Sequence, residues 1–166
     1  MYQLRAHIYQ ARSLIGSDAS GLSDPYATVS ITDYSKTTQV IEETLSPTWD
    51  ELLVFDDVLV YSAKSEIQKD PPTIVIEIYD QDKVGKSEFI GRAIAKPKIK
   101  SKDQQYKNPM LEWFDIIRGT DNAGELLAAF ELLELGSNDL PNLTEPKYIP
   151  MDTKSKCLRI RLLCFR

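Results

Sequence analysis

The sequence predicts an all-β fold, an antiparallel β-sandwich built by one domain of a 166-residue chain. Two observations carry this prediction. Seven short runs of strand-forming residues follow one another from residue 3 to residue 116, and turn-forming residues separate them. No long amphipathic helix interrupts these runs, so the hydrophobic core is expected to lie between sheets.

The first run, "LRAHIYQA", alternates as a half-buried strand does. Leu4, Ala6 and Ile8 share one face and are expected in the core. His7, the only histidine of the chain, falls on the other face. It has no second histidine with which to share a metal, so we interpret it as a surface residue. The other predicted strands cover residues 26–32, 37–43, 51–60, 73–80, 88–95 and 111–116.

Two later segments are harder to assign. Propensity alone favours a helix for "GELLAAFELLEL" (124–135), although its apolar residues fit a helical face about as well as a strand. Residues 136–150 are rich in turn formers and are predicted to be a linker. The final "CLRIRLLCFR" resembles a strand that either docks on the sandwich or starts a following domain. The predicted organisation is a domain over 1–135 and a linker and tail over 136–166.

Composition narrows the function. The formal net charge is −5, which argues against a nucleic-acid-binding protein, since such a protein shows a dominant basic face. The two cysteines, Cys157 and Cys164, cannot form a framework of several disulfides and favour a reducing compartment. Without an apolar signal core or a long apolar stretch, the fragment is expected to be soluble.

Five carboxylates stand in two loops beside predicted strands. "GSDASGLSDPYATV" contains Asp18 and Asp24, and "IEIYDQDKVGKSEFIG" contains Asp80, Asp82 and Glu88. If both loops lie at one end of a sandwich, the five carboxylates converge. One like-charge pair at 4 Å costs roughly 4 kcal/mol at an effective dielectric constant near 20, so such a cluster requires a cation.

Oxygen ligands without histidine or cysteine favour calcium or magnesium over zinc or copper. Calcium accepts about 6–8 oxygens in irregular geometry, which suits ligands from separate loops better than magnesium does. The main alternative is that these acids are solvated turn residues. An EF-hand is excluded, because Val84 and Gly91 would occupy ligand positions of that loop. Nothing in the sequence supplies a catalytic set, so an enzyme is not expected.

Three motifs in order resemble the C2 domain family. They are "SDPYATV", with Asp18 six residues before Asp24, then "TLSPTWDELLVF", and finally "YDQDKVGKSEFIG". A narrower resemblance to a central C2 domain of the ferlins, large tail-anchored proteins with many C2 domains, extends to about residue 135. It implies an eight-stranded sandwich of the type II strand order, because the chain opens on the strand before the first calcium loop. Residues 124–135 would then form the eighth strand.

The resemblance implies calcium as the cofactor and carries its ligation onto named positions. Side-chain ligands would be Asp18, Asp24, Asp80, Asp82 and Glu88, and main-chain carbonyls would come from Ser17 and Lys83. Glu88 departs from the aspartate that is commoner at its position, which puts a second ion site in doubt. Gly85 stands where many relatives have an oxygen-bearing side chain, so one further ligand is absent.

The same resemblance implies that bound calcium recruits an acidic phospholipid surface. Two calcium ions would change the formal charge from −5 to −1, since they add four positive charges. The residues expected at the loop tips that contact the membrane are Ala19, Leu22, Lys83, Val84 and Lys86. A second, basic lipid patch is predicted in "KPKIKSK", whose lysines project from one side of an extended segment: Lys96, Lys98, Lys100 and Lys102.

The function expected from this resemblance is calcium-dependent phospholipid binding in a ferlin-like protein of vesicle trafficking, membrane fusion or repair. The domain would work at the cytoplasmic face of a vesicle or plasma membrane. Its partners would be that membrane, other C2 domains of the same chain and fusion-machinery proteins. The alternative is a calcium-independent interaction or spacer module, which has no reason to assemble five acidic positions.

Overall fold

The computed structural model describes residues 1–16, 21–81, 85–100 and 108–135. These residues form nine β-strands and one short α-helix. The strands are β1 (Tyr2–Arg12), β2 (Pro25–Ile31), β3 (Tyr34–Thr37), β4 (Thr48–Val58), β5 (Ile74–Asp80), β6 (Glu88–Ala95), β7 (Lys98–Lys100), β8 (Glu112–Arg118) and β9 (Asp121–Glu134), and the helix is α1 (Lys64–Lys69).

The strands form two layers that are joined along one side. Neighbouring strands follow the order β3-β2-β5-β6-β8-β9-β1-β4. Between β6 and β8 one residue pair, Arg92 with Ile117, connects the two layers. All pairings along this order are antiparallel, whereas the three-residue β7 pairs with β9 in parallel. The predicted antiparallel sandwich is therefore confirmed.

The core lies between the layers and follows the alternation of the strands. In β2 and β5 every second residue is buried, because successive side chains of a strand point to opposite faces. Ile74, Ile76 and Ile78 of β5 are fully buried, as are Leu4 and Ile8 of β1.

The segment with helical propensity is strand β9, as the family resemblance implied. It pairs with β1 on one side and with β8 on the other, so its main chain is satisfied within a sheet. Its residues from Leu126 to Leu133 are nearly all buried. Burial between two partners outweighs a local preference that is worth only tenths of a kcal/mol per residue. It is the ninth described strand rather than the eighth.

Several sequence-based boundaries were wrong. Residues 38–43, part of the predicted strand 37–43, form an irregular loop, and the strand there is β3, which ends at Thr37. The loop satisfies its main chain differently, since the N–H groups of Thr38 and Ile41 donate to carbonyls of Ala27 and Pro25. The sequence analysis also missed β7 and α1, and α1 contributes the buried Ile67 to the core.

His7 is half-buried rather than a surface residue. Its side chain is 23% exposed, and its Nε2 atom lies 3.8 Å from Oε2 of Glu131 on β9. No helix in the described part of the chain is long and apolar enough to cross a membrane. The predicted linker and tail, 136–166, lie outside the described residues, so the predicted domain boundary remains a prediction.

Candidate metal site

Three of the predicted ligands lie at the same end of one layer. Asp24 precedes β2, Asp80 is the last residue of β5, and Glu88 is the first residue of β6. Asp80 pairs with Pro25 on one side and with Glu88 on the other. The antiparallel register of β2, β5 and β6 therefore places these acids on neighbouring strands at one edge of the sheet.

Hydrogen bonds join the two acid-bearing loops at this edge. The main-chain N–H of Asp24 donates to Oδ1 of Asp80 over 2.6 Å. In return, the N–H of Gln81 donates to the main-chain carbonyl of Asp24 over 3.0 Å. The residues that start β2 and end β5 are thus held together by bonds that do not require an ion.

The loop 38–47 also holds the site, which the sequence analysis did not foresee. The N–H of Glu43 donates to Oδ1 of Asp24 over 2.7 Å, and the N–H of Thr44 donates to the carbonyl of Ser23 over 2.8 Å. Glu43 adopts a left-handed conformation with φ of 52° to present this donor. No local sequence pattern predicts this role of Glu43, because its hydrogen bond to Asp24 comes from the main chain.

Burial distinguishes the three acids. Asp80 is 1% exposed and Asp24 is 8% exposed, whereas Glu88 is exposed. The second carboxylate oxygen of Asp80, Oδ2, is buried and accepts no hydrogen bond from the described residues. A buried carboxylate oxygen without a donor is costly, and a cation ligated there removes the cost. The oxygen-only chemistry of these side chains therefore fits a hard cation such as calcium.

The described residues do not complete an ion site. Among them, no group of three or more His, Cys, Asp or Glu side chains is arranged to hold a metal. The remaining predicted ligands, Asp18, Asp82 and the carbonyls of Ser17 and Lys83, lie outside the described residues. The structure thus brings Asp24 and Asp80 together and places Glu88 beside them, while the convergence of all five carboxylates remains a prediction.

The base of the first loop is closed by two glycines. A Cβ atom on Gly16 would lie 2.2 Å from the carbonyl oxygen of Gly21, so the two ends of segment 17–20 touch there. Gly21 has a φ of 76°, a conformation that glycine adopts readily in a tight bend. The sequence analysis missed the role of Gly16. Any side chain at this position would force its main chain away from Gly21.

Exposed side chains surround this end of the molecule. Leu22, a predicted membrane contact, is 37% exposed, and Ile15, which the sequence analysis did not name, is 39% exposed. Lys86 is also exposed. The other predicted membrane contacts, Ala19, Lys83 and Val84, lie outside the described residues. Two apolar side chains therefore flank the first loop on its described sides.

The predicted basic patch is largely neutralised. Lys96 pairs with Asp70, Lys98 lies 2.5 Å from Glu112, and Lys100 lies 2.5 Å from the buried Glu131. The fourth lysine, Lys102, lies outside the described residues. Because each described lysine faces a carboxylate, the patch offers less positive potential than its sequence implies.

Comparison with known proteins agrees with this architecture. The family model "C2 domain" matches residues 2–116. Fer-1-like protein 4 of Mus musculus is 45% identical over 157 residues, which are 95% of this chain and 8% of that protein. Myoferlin of Mus musculus is 41% identical over 143 residues, 86% of this chain and 7% of that protein. The chain thus spans less than a tenth of these relatives.

Solved structures show the same fold. A single C2 domain of a plant extended synaptotagmin 1 has a TM-score of 0.65 at 18% identity, with 81% of this chain and 95% of that chain covered. A calcium-bound structure of two C2 domains of extended synaptotagmin 2 has a TM-score of 0.56 at 27% identity, with 78% and 45% covered. The chain belongs to the C2 domain family, and its sequence relatives identify it as a C2 domain of the ferlin kind.

Proposed function

We propose that this domain binds calcium at the end of the sandwich that carries Asp24 and Asp80, and that the bound ion recruits an acidic phospholipid membrane. The observation that carries the proposal is the buried Oδ2 of Asp80 next to Asp24, which has no donor among the residues that the structure describes. A domain that served only as a spacer would have no reason to bury a carboxylate oxygen without a donor.

The chain's own residues divide the work of holding the ion. Asp80 supplies the buried oxygen, and the N–H of Asp24 fixes its carboxyl plane through Oδ1. Glu43 fixes the carboxylate of Asp24 in the same way. Glu88 stands at the exposed side of the site and would be the fifth side-chain ligand. The side chains of Asp18 and Asp82 and the carbonyls of Ser17 and Lys83 would complete the ligand set.

Charge couples the ion to the membrane. Without calcium, the acids of this end repel an anionic surface, and two ions would bring the formal charge from −5 to −1 by adding +4. The electrostatic attraction between the calcium-bound end and the anionic lipids acts within a Debye length of about 8 Å. Its strength therefore depends on the charges of the loops and of the residues beside them. Ile15 and Leu22 offer apolar contact beside the ion, and Lys86 offers a positive charge.

Two comparisons support this function. Extended synaptotagmin 2, at 27% identity, has been solved as a calcium-bound pair of C2 domains. The chain covers 8% and 7% of its ferlin relatives, which supports a much longer parent protein. The family resemblance implies that this parent carries several C2 domains and acts in vesicle trafficking, membrane fusion or repair. In that parent the domain would work at the cytoplasmic face of a vesicle or plasma membrane, beside other C2 domains and fusion-machinery proteins, without catalysing a reaction.

Sedimentation with vesicles that contain phosphatidylserine tests the proposal. The domain is expected to sediment with vesicles in calcium and to stay in solution with a chelator. Asp24→Asn and Asp80→Asn should each abolish the calcium-dependent fraction while circular dichroism shows an unchanged fold. Asp33→Asn removes the same charge from an exposed turn and should sediment like the unaltered domain. Binding by Asp80→Asn equal to that of Asp33→Asn would refute the mechanism.

A calcium-independent interaction module is the second candidate. It is favoured by an exposed apolar side chain away from the metal end, since Ile94, six residues along β6 from Glu88, is 63% exposed. The ion pairs of Lys96 and Lys98 also favour this second candidate, because paired lysines attract an anionic lipid surface less strongly. If the domain bound neither calcium nor vesicles, this second function would replace the first.

A further inference from the structure

The layer β8-β9-β1-β4 carries a groove of about 540 Å³ on its outer face. This layer is not the one that carries the candidate metal site. Pro109 and Leu111, which precede β8, line one side of the groove, and Leu52 of β4 lines the other. His7 of β1 lies between them, because it pairs with Leu52 and also lines the groove. The volume falls within the range of about 300–1,000 Å³ that is typical of ligand sites.

Two irregularities of the main chain shape this groove. The pairing of β1 shifts between Ile8 and Gln10 against both β4 and β9, so Tyr9 is an extra residue that forms a β-bulge. On β4 the same interruption contains Asp50, which has a left-handed φ of 48°. Tyr9 and Asp50 both line the groove. Such departures from regular backbone are costly and concentrate at functional sites, where they redirect side chains.

The groove carries negative charge that the described residues do not neutralise. Asp50 is exposed, and Oε1 of its neighbour Glu51 accepts the main-chain N–H of Gln39 over 2.7 Å. No ion pair within the described residues involves either acid. By contrast, three other carboxylates of this layer each face a cation: Glu112 pairs with Lys98, Glu125 with Arg12 and Glu131 with Lys100. Two adjacent acids without such a cation favour a partner that brings positive charge.

Apolar side chains of the kinds found at protein interfaces accompany these acids. Leu111 lines the groove and is 39% exposed, and Met110 before it is 70% exposed. Trp113 follows two residues later and is 39% exposed, and Arg12 covers its ring at 4.0 Å from the centroid. Methionine, tryptophan and arginine are enriched in protein–protein interfaces. The surface thus combines apolar contact sites with an acidic rim.

We infer that this groove docks a segment of a partner protein in which basic and aliphatic residues stand side by side. An aliphatic side chain of the partner would pack between Leu52 and Leu111. A lysine or arginine beside it would face Asp50 and Glu51. This inference goes beyond the proposed function, because the groove lies on the other layer and its chemistry requires no ion. It gives a calcium-independent interaction both a surface and a partner chemistry.

The charge of the groove argues against other occupants. An anionic bilayer would meet Asp50 and Glu51, which no described cation offsets, and would be repelled by them. A second copy of this chain, with a formal net charge of −5, would bring further negative charge to the same surface. A basic protein segment instead gains an electrostatic attraction that speeds its association and fixes its register.

Calorimetric titration of the whole chain with a synthetic peptide, in chelator and without vesicles, tests the inference. The probe is a peptide in which arginine and leucine alternate, and the reference peptide has glutamate in place of each arginine. The arginine peptide is expected to bind at least tenfold more tightly, because it complements Asp50 and Glu51. Equal binding of the two peptides would overturn the inference.

Two double variants locate the binding. Asp50→Asn combined with Glu51→Gln removes both charges, while asparagine tolerates the left-handed φ and glutamine keeps an acceptor for Gln39. This variant should bind the arginine peptide about fivefold to tenfold more weakly. Asp33→Asn combined with Asp57→Asn removes the same charge outside the groove and should bind like the unaltered chain. An equal loss in both double variants would show unspecific attraction and overturn the inference.

A pair of leucine variants tests the apolar side of the groove. Leu111→Ala should weaken peptide binding about fivefold, whereas Leu59→Ala, at a leucine that is 43% exposed outside the groove, should not change it. Equal affinities of these two variants would contradict the inference. So would a dimer that Leu111→Ala dissociates, or displacement of the peptide by phosphatidylserine vesicles in chelator, because each assigns the groove to another occupant.

The calcium proposal is tested separately in the same proteins. Calcium-dependent sedimentation with vesicles should be equal in the unaltered chain and in the variants of Asp50, Glu51 and Leu111. Absence of that sedimentation in the unaltered chain would overturn the proposed function, while the peptide titrations would still decide this inference.

Discussion

The main-chain N–H of Asp24 donates to Oδ1 of Asp80 over 2.6 Å, across 56 residues of sequence. The other oxygen of this carboxylate, Oδ2, is buried and has no donor in the described part of the chain. Within the Asp80 carboxylate, Oδ1 is thus hydrogen-bonded by the fold itself, whereas Oδ2 is left for a further partner. The calcium proposal depends on this asymmetry, because an ion is the simplest group that completes the buried oxygen among acids.

The Asp80→Asn variant should separate two effects of the Asp80 charge, its cost to folding stability and its contribution to calcium binding. Asparagine retains an acceptor for Asp24 and removes the buried charge, so we expect equal or higher stability in chelator. Calcium should stabilise the unaltered domain by about 2.7 kcal/mol at a hundredfold excess over the Kd. Its Tm should therefore rise by roughly 5–10 °C. Differential scanning calorimetry of the Asp80→Asn variant should show no such rise.

The comparison variant for this experiment is Asp57→Asn. Asp57 is an exposed acid of β4 with φ of 57°, a conformation that asparagine tolerates. This variant should keep the full calcium-induced rise in Tm. A rise of the same size in Asp80→Asn would show that Asp80 does not ligate the ion.

Gly16→Ala should open the first loop without unfolding the sandwich. The added Cβ would meet the carbonyl oxygen of Gly21 at 2.2 Å, and main-chain atoms must move to relieve that clash. We expect calcium affinity to fall about tenfold or more, as measured by calorimetric titration, because segment 17–20 carries two of the predicted ligands.

Gly119→Ala is the matched control for the glycine experiment. Gly119 has a positive φ of 66°, which Gly16 does not, and a Cβ at Gly119 meets nothing within 4 Å. It should cost only about 1 kcal/mol of backbone strain and leave calcium affinity unchanged. Equal affinities of the Gly16→Ala and Gly119→Ala variants would contradict the closed loop base.

The buried pair of Lys100 and Glu131 predicts how stability depends on pH. Burial raises the pKa of Glu131, but His7 and Lys100 beside its oxygens lower it, and the net pKa lies below its ordinary value of 4.5. A folded-state pKa below the unfolded value contributes stability above about pH 4.5, which is lost as pH falls through the folded pKa.

Lys100→Gln should therefore lower stability most at neutral pH. Loss of one partner of a buried pair costs about 3 kcal/mol, and urea denaturation at pH 7 measures it. The difference between the variant and the unaltered domain should shrink as the pH is lowered below 4.5. A difference that stayed constant from pH 7 to pH 3 would show that Lys100 acts through packing alone.

The lysine pairs predict that the basic patch is masked by its own carboxylates. Asp70→Asn combined with Glu112→Gln frees Lys96 and Lys98, so calcium-free binding to phosphatidylserine vesicles should strengthen about fivefold or more. Asp33→Asn combined with Asp57→Asn changes the net charge equally at exposed positions away from these lysines. Sedimentation in chelator compares them, and equal binding would exclude a lipid-facing patch at Lys96 and Lys98.

Much of the fold could be predicted because burial and local pattern agree in most strands. In β2 and β5 the alternation alone identifies the inward faces, and it places Asp80 at the end of its strand. In β9 local propensity and tertiary context disagree. Its leucines and alanines favour a helix, whereas pairing with β1 and β8 holds the segment extended. Only the family resemblance identified that strand.

The sequence indicated Asp24 and Asp80 as candidates through their acid-bearing loops, on the condition that these loops lie at one end of a sandwich, whereas the main-chain contacts of the site were not predictable. Main-chain N–H groups hold these two acids: that of Glu43 donates to Asp24, and that of Asp24 donates to Asp80. Because every residue except proline carries an N–H group, the sequence does not show which ones take part. His7 was misassigned for a related reason, because its environment depends on Glu131 across the sheet.

The most direct test of the central claim is a calorimetric calcium titration of the domain with and without phosphatidylserine vesicles. We predict heat of binding with an affinity between micromolar and millimolar, and tighter binding when vesicles are present. Asp24→Asn should remove the heat in both titrations. No binding of calcium in either titration would contradict the account and leave the domain an interaction or spacer module.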